Sequence, residues 1–129
     1  MNRIFSFTVL IILSCQSYAN SFNAKYIKNY DGDTITVDLD CDTDFFCKDV
    51  KVRLFGLDTP EIRTKDKCEK AKGYKAKQFV KDRLFNANKI ELKDCAKGKY
   101  FRLVCNIIYD GKNLSKELLK CKLAYPYLG

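Results

Sequence analysis

Arg53-Leu54-Phe55-Gly56-Leu57-Asp58-Thr59-Pro60-Glu61 decides the reading of this chain. An alternating apolar run reaches a glycine, and three oxygen-bearing side chains and a proline follow at once, so a strand delivers polar groups to its own end. Pro60 has no ladder donor, so the chain leaves the sheet there, with Asp58 and Glu61 on the exit. Carboxylates on such an exit are placed to converge on a metal or a reacting water. Strict alternation puts Arg53 and Asp58 on opposite faces unless Gly56 bends or bulges the strand. Taken alone, the segment also reads as a strand with a charged end and a turn.

Upstream, Ala24 to Tyr30 alternates weakly and runs into Asp31-Gly32-Asp33-Thr34, a tight turn by composition, and then into Ile35 to Leu39, a clean alternating strand. Together they predict a hairpin. Asp31-Gly32-Asp33 is a turn in its own right, and Asp33 gains chemical interest only beside Asp58. Val50 to Leu57 is the third strand. Downstream, Ala71, Tyr74, Ala76, Phe79, Val80, Leu84 and Phe85 recur at three and four between Cys68 and Ala87, which predicts an amphipathic helix. Lysines and arginines cover its outer face, where solvation is the first reading and nucleic-acid contact the second. Lys89 to Asp94 and Lys99 to Tyr109 are strand-like, joined by Cys95-Ala96-Lys97-Gly98. Asp110-Gly111 then turns the chain into a helix over Leu114 to Leu123, with Asn113 or Ser115 as its cap. The order β-β-β-α-β-β-α predicts a mainly β member of the α+β class, a five-stranded oligonucleotide-binding (OB-fold) barrel with two or three helices.

The chain of 129 residues holds one domain, without a linker or internal repeat. Arg3, the apolar run Ile4 to Leu13 and the small residues before Asn20 form a secretory signal over residues 1–19, leaving a domain over 20–129. The apolar run is too short to cross a membrane, and no later segment approaches one. Ile12-Leu13-Ser14-Cys15 also loosely resembles a lipoprotein cleavage site, which would keep an acylated Cys15 and anchor the domain. A secreted or periplasmic location is expected in either case. Cleavage after Ala19 removes Arg3 and no acid, so the net charge falls by one from +8 to +7. An exported domain this basic suits a polyanionic partner. No stable protein partner is implied, and a monomer is expected.

Six cysteines follow residue 19, at 41, 47, 68, 95, 105 and 121, an even number that favours disulfides in an exported chain. Connectivity is not fixed by sequence. Local spacing pairs Cys41 with Cys47 and Cys95 with Cys105, which leaves Cys68 with Cys121. Zinc is disfavoured, because there is no histidine and no cysteine pair spaced by two. The lack of histidine also excludes His-dependent nucleases, Ser-His-Asp hydrolases and Cys-His proteases. Any base is a carboxylate, lysine or tyrosine, and hard oxygen donors at Asp33 and Asp58 suit calcium or magnesium.

Asp31-Gly32-Asp33-Thr34, the segment from Arg53 to Glu61, and Lys99-Tyr100-Phe101-Arg102, in that order, resemble the staphylococcal nuclease (thermonuclease) family. The resemblance covers nearly all of the chain after residue 19. It implies calcium-dependent endonuclease cleavage of DNA and RNA with little sequence specificity, on the 5′-oxygen side of the phosphate, leaving 3′-phosphate ends. It also implies metal ligation by Asp33, Asp58 and the Thr59 carbonyl, and a water oriented or deprotonated by Glu61. Arg53 and Arg102 would hold the phosphate, and Lys99 and Tyr100 would lie along the nucleotide.

The chain departs from the family pattern at Phe101, where the family usually has glycine. A final family-like helix is expected to be missing or very short around Tyr125-Pro126-Tyr127, whose tyrosines read equally as stacking or packing residues. Two other readings compete with the nuclease. A non-catalytic OB-fold nucleic-acid-binding module would keep the barrel and basic face but has no need of Glu61, and a disulfide-stapled interaction domain predicts neither binding nor cleavage.

Overall fold

A computed structural model describes residues 21–128; the expected signal over residues 1–19, with Cys15, lies outside them. Strands β1 (Ser21–Asn29), β2 (Thr34–Leu39) and β3 (Val50–Leu54) form an antiparallel meander. Strands β5 (Ile90–Lys97) and β6 (Leu103–Tyr109) form a hairpin whose β5 pairs with β1. A parallel pairing of β3 with β6 closes the sheet into a five-stranded barrel, as expected for an OB-fold. Short pairs decorate it: β4 (Leu57–Asp58) with β8 (Tyr125–Pro126), and β7 (Lys112–Asn113) on β6.

The alternation read from the sequence fills the barrel. Ile35, Val37, Val52, Leu54, Leu92, Cys105 and Ile107 point inward and are buried. Helix α2 (Lys67–Phe85) covers one end with Val80 and Leu84, and α3 (Leu114–Lys120) adds Leu114 and Leu118. Burying each such aliphatic side chain contributes about 1.5–3 kcal/mol. Asp66 caps α2 by accepting from the amides of Cys68 and Glu69, and Asn113 caps α3 through the amide of Lys116.

Several expectations need correction. The buried stripe of α2 is Gly73, Ala76, Val80 and Leu84; Ala71, Tyr74 and Phe85 face solvent, because the contact with the barrel is narrower than the run of apolar residues. The β5–β6 turn is not Cys95 to Gly98 but Gly98 to Arg102. There Tyr100 and Phe101 both take left-handed backbone at φ +57°, while Cys95 to Lys97 continue the strand past an irregularity at Asp94. Helix α3 stops at Lys120, short of Leu123, where Lys122 turns left-handed. A third, four-residue helix α1 (Asp44–Cys47), in keeping with the two or three helices expected, lies inside the loop between Cys41 and Cys47.

Cys41–Cys47 and Cys95–Cys105 are paired as local spacing predicts. Cys68 and Cys121 are not bonded to each other. Cys68 sits in the first turn of α2 and Cys121 caps the end of α3, and both thiols are exposed.

Candidate active site

Asp33 closes the turn between β1 and β2 and is only 4% exposed. Burying a carboxylate requires hydrogen-bond donors, and this one has four. Its Oδ2 accepts the Thr59 backbone N–H at 3.0 Å and the Thr59 hydroxyl at 3.2 Å. Its Oδ1 accepts the Thr34 hydroxyl at 3.0 Å and Arg53 Nη1 at 3.1 Å. The turn itself is tied down by Asp31, whose Oδ1 accepts the amides of Asp33 and Thr34 at 3.1 and 2.8 Å. Buried Asn29 then donates to the carbonyls of Asp31 and Lys77, fixing the turn against α2.

Arg53 and Asp58 meet although they stand on opposite sides of a glycine. Gly56 takes φ +82°, a conformation glycine enters without penalty, and the strand expected over Val50 to Leu57 breaks there into β3 and β4, so that Arg53 Nη2 donates to Asp58 Oδ1. One guanidinium therefore links two carboxylates, each held by a different nitrogen.

Two glycines that sequence reading did not assign to the site set its depth. A Cβ on Gly32 would lie 2.7 Å from both Ala76 Cβ and Thr59 Cγ2, and one on Gly73 would lie 2.7 Å from the Pro60 carbonyl oxygen. Both permit close approach, of the turn to Thr59 and of α2 to the segment carrying Glu61. Gly32 is already accounted for by its turn, and the only signal for Gly73 is a glycine inside a predicted helix with no cap to explain it.

Glu61 is exposed and touches neither aspartate; its backbone N–H donates weakly to Glu69 Oε1 at 3.5 Å. It lines the same cleft as Asp33, Arg53, Tyr100 and Arg102. Arg102, Arg53 and Glu61 also line the adjoining cleft, together with Lys99 and Tyr127. Arg102 is anchored by its own turn, with Nε donating to the Lys99 carbonyl at 3.3 Å and the guanidinium 5.7 Å from the Tyr100 ring. Phe101, at the tip, is 98% exposed. Thus Asp33, Arg53, Asp58 and Thr59 form one bonded network, while Glu61, Lys99, Tyr100 and Arg102 stand on cleft walls without joining it. Tyr125 lies opposite Asp58 in the β4–β8 pair, and the Tyr127 N–H donates to the Gly56 carbonyl at 3.0 Å, so the two C-terminal tyrosines border the site.

The segment from Lys51 to Leu128 matches the family model described as staphylococcal nuclease homologue. The chain belongs to the staphylococcal nuclease family. Among curated relatives, it is 34% identical over 103 residues to the SPbeta prophage-derived endonuclease YokF of Bacillus subtilis, covering 75% of this chain and 32% of that protein. It is 31% identical over 121 residues to an uncharacterized endonuclease of Haemophilus influenzae, covering 94% and 59%. It is also 34% identical over 111 residues to endonuclease YncB of Bacillus subtilis, covering 81% and 49%. The chain thus spans between about a third and three fifths of the length of these relatives.

The staphylococcal nuclease family is generally calcium-dependent, and the electrostatics of this site bear on that. Asp31 lies behind Asp33; burial first, and the neighbouring Asp33 charge second, push its carboxyl up to about 6. Asp33 and Asp58 share the Arg53 guanidinium, while Asp31 is bonded to the backbone amides of its own turn. Among the described residues there is no preassembled cluster of three or more His, Cys, Asp or Glu at metal-binding distance. The donors present are all hard oxygens, two of them carboxylates held by the same guanidinium. That set fits an open calcium site to be completed by backbone carbonyl, water and substrate oxygen.

Proposed function

We propose that this chain is an exported calcium-dependent nuclease that hydrolyses phosphodiester bonds in DNA and RNA with little sequence preference, leaving 3′-phosphates. The observation that carries the reading is the bonded network of Asp33, Arg53, Asp58 and Thr59, with Glu61 and Arg102 on the walls of one basic cleft. Export is supported by the charged, apolar and small-residue succession before Asn20 and by two disulfides.

Asp33, Asp58 and the Thr59 carbonyl would hold calcium, which when bound neutralises phosphate charge and polarises a phosphoryl oxygen. Arg53 keeps further N–H donors beyond the two engaged by the aspartates, and these bind a phosphate oxygen. Arg102 approaches from the facing turn, so two guanidiniums stabilise the charge that develops as the phosphorus adds a water oxygen. Glu61, open to solvent and without a salt-bridge partner among the described residues, accepts the proton of that water. The bond from phosphorus to the 5′-oxygen then breaks, and the 5′-oxygen leaves with a proton from solvent. Lys99 and Tyr100 lie along the nucleotide, where Tyr100 offers an exposed ring.

Glu61→Gln tests the assignment because it removes the base and leaves the shape. Cleavage is expected to fall by on the order of 100-fold or more, with affinity for single-stranded DNA retained in a calcium chelator. Full activity in the folded variant would remove Glu61 from the mechanism. Binding without cleavage by the unaltered chain would leave a non-catalytic OB-fold module.

A further inference from the structure

Tyr30 and Lys77 each wall two clefts. On one side they line the cleft of Asp33, Arg53 and Glu61, and on the other they line a second cleft with Arg63, Lys70 and Tyr74. The second cleft contains cations and no carboxylate among its lining residues. Helix α2 supplies Lys70, Tyr74 and Lys77, positions that share one helical face, and the loop after Glu61 supplies Arg63. Both tyrosines are half exposed, at 51% and 49%, and both carry a cation: Arg63 lies 5.3 Å from the Tyr30 ring and Lys77 lies 6.0 Å from the Tyr74 ring.

A solvated helix face explains lysines on α2, but not their convergence with Arg63 on a concave surface where like charges repel. A polyanion relieves that repulsion, and the open ring faces accept unpaired bases. The cleft also continues the catalytic one, so a strand whose phosphate sits at Arg53 reaches it without leaving the surface.

We infer that Tyr30, Arg63, Lys70, Tyr74 and Lys77 form a flanking subsite for single-stranded nucleic acid, holding nucleotides next to the scissile phosphate by phosphate contacts and base stacking. The inference rests on the nuclease reading above for the identity of the strand, though binding tests it without cleavage.

The test uses fluorescein-labelled oligothymidylates of increasing length, read by anisotropy on the oxidised chain in a calcium chelator. Affinity is expected to rise with length until the second cleft is filled. The double variant Arg63→Ala/Lys70→Ala should weaken binding of long oligomers by about 10-fold or more at low salt, and lower the salt slope by about 1.4 for two lost phosphate contacts. Dinucleotide affinity should not change. Tyr74→Leu should weaken long single strands by on the order of 10-fold while sparing a duplex of equal length. An unchanged length dependence and salt slope in the double variant would overturn the subsite, and equal losses on single strands and duplex would overturn its stacking component. Cleavage measured in parallel with calcium separates the two readings. A chain that cuts nothing but keeps the length-dependent binding refutes the nuclease, whereas cutting that ignores both variants refutes the subsite.

Discussion

The backbone N–H of Thr59 donates to Asp33 Oδ2 at 3.0 Å, joining two segments 26 residues apart in the chain. The neighbouring ladder reinforces this link, since the Leu54 N–H donates to the Asp33 carbonyl at 2.9 Å. Asp33 is thus held on both its side chain and its backbone by the segment from Leu54 to Thr59, which follows Arg53 and includes Asp58. The carboxylate is positioned before any ligand arrives, so its desolvation is offset by the fold rather than by substrate.

Removal of the shared guanidinium has two separable effects. Arg53→Ala should lower cleavage by on the order of 100-fold, by analogy with the loss of one transition-state donor. It should also leave Asp33 and Asp58 without their common cation, so the variant loses more thermal stability in a chelator than in calcium, which binds the freed carboxylates. Arg53→Lys restores charge but not the two-armed link and should fall between the two. Melting temperatures with and without calcium check this; a deficit that calcium does not reduce would contradict the metal assignment.

Cys95–Cys105 crosslinks the β5–β6 hairpin just before the turn that presents Lys99 to Arg102. Reduction should lower the melting temperature, since each bridge contributes roughly 2–4 kcal/mol and these short loops belong at the low end. Cys95→Ala/Cys105→Ala should also weaken activity more than Cys41→Ala/Cys47→Ala does, because only the former bridge steadies Arg102. Cys68 and Cys121, both exposed, should label with a thiol reagent without denaturant, as peptide mapping would show. Protection of both would mean that they are bridged in solution.

Tyr109 supplies the clearest pH dependence. Its buried hydroxyl donates to Glu117, and burial first, then that hydrogen bond, raise its pKa from 10.0 to about 12. A raised folded value means the phenol form is favoured by folding. Its stabilisation is therefore intact below pH 10 and is lost as pH rises through about 12. Tyr109→Phe should cost about 1 kcal/mol at neutral pH, and its deficit should shrink in that alkaline window. Phenolate absorbance should show one tyrosine ionising after the rest in the parent chain and not in the variant.

The barrel was legible because its strands obey a period of two around Val37, Val52 and Ile107, and because Gly56 stood where a bend would bring Arg53 to Asp58. Both features are local. The narrow buried stripe of α2 was not, since Tyr74 and Phe85 fit a helical period yet face solvent. The contacts of Gly32 and Gly73 with Thr59 and Pro60 were equally hidden, because they join segments distant in sequence. The turn at Tyr100 and Phe101 escaped for another reason: both residues take left-handed backbone that bulky side chains seldom adopt. Cys68 and Cys121 were paired by elimination, and the chain does not bring that pair into a bond. Asp31 was read as a turn former, which it is, and the effect of Asp33 on its carboxyl emerges only when the fold sets half-buried Asp31 beside buried Asp33.

The most direct measurement incubates the oxidised chain from Asn20 with single-stranded DNA and RNA, with calcium or a calcium chelator, and determines the end groups of the products. Calcium-dependent cutting that leaves 3′-phosphates is the predicted result. Intact substrate under every condition from a folded chain, or cutting that persists undiminished in the chelator, would contradict the account.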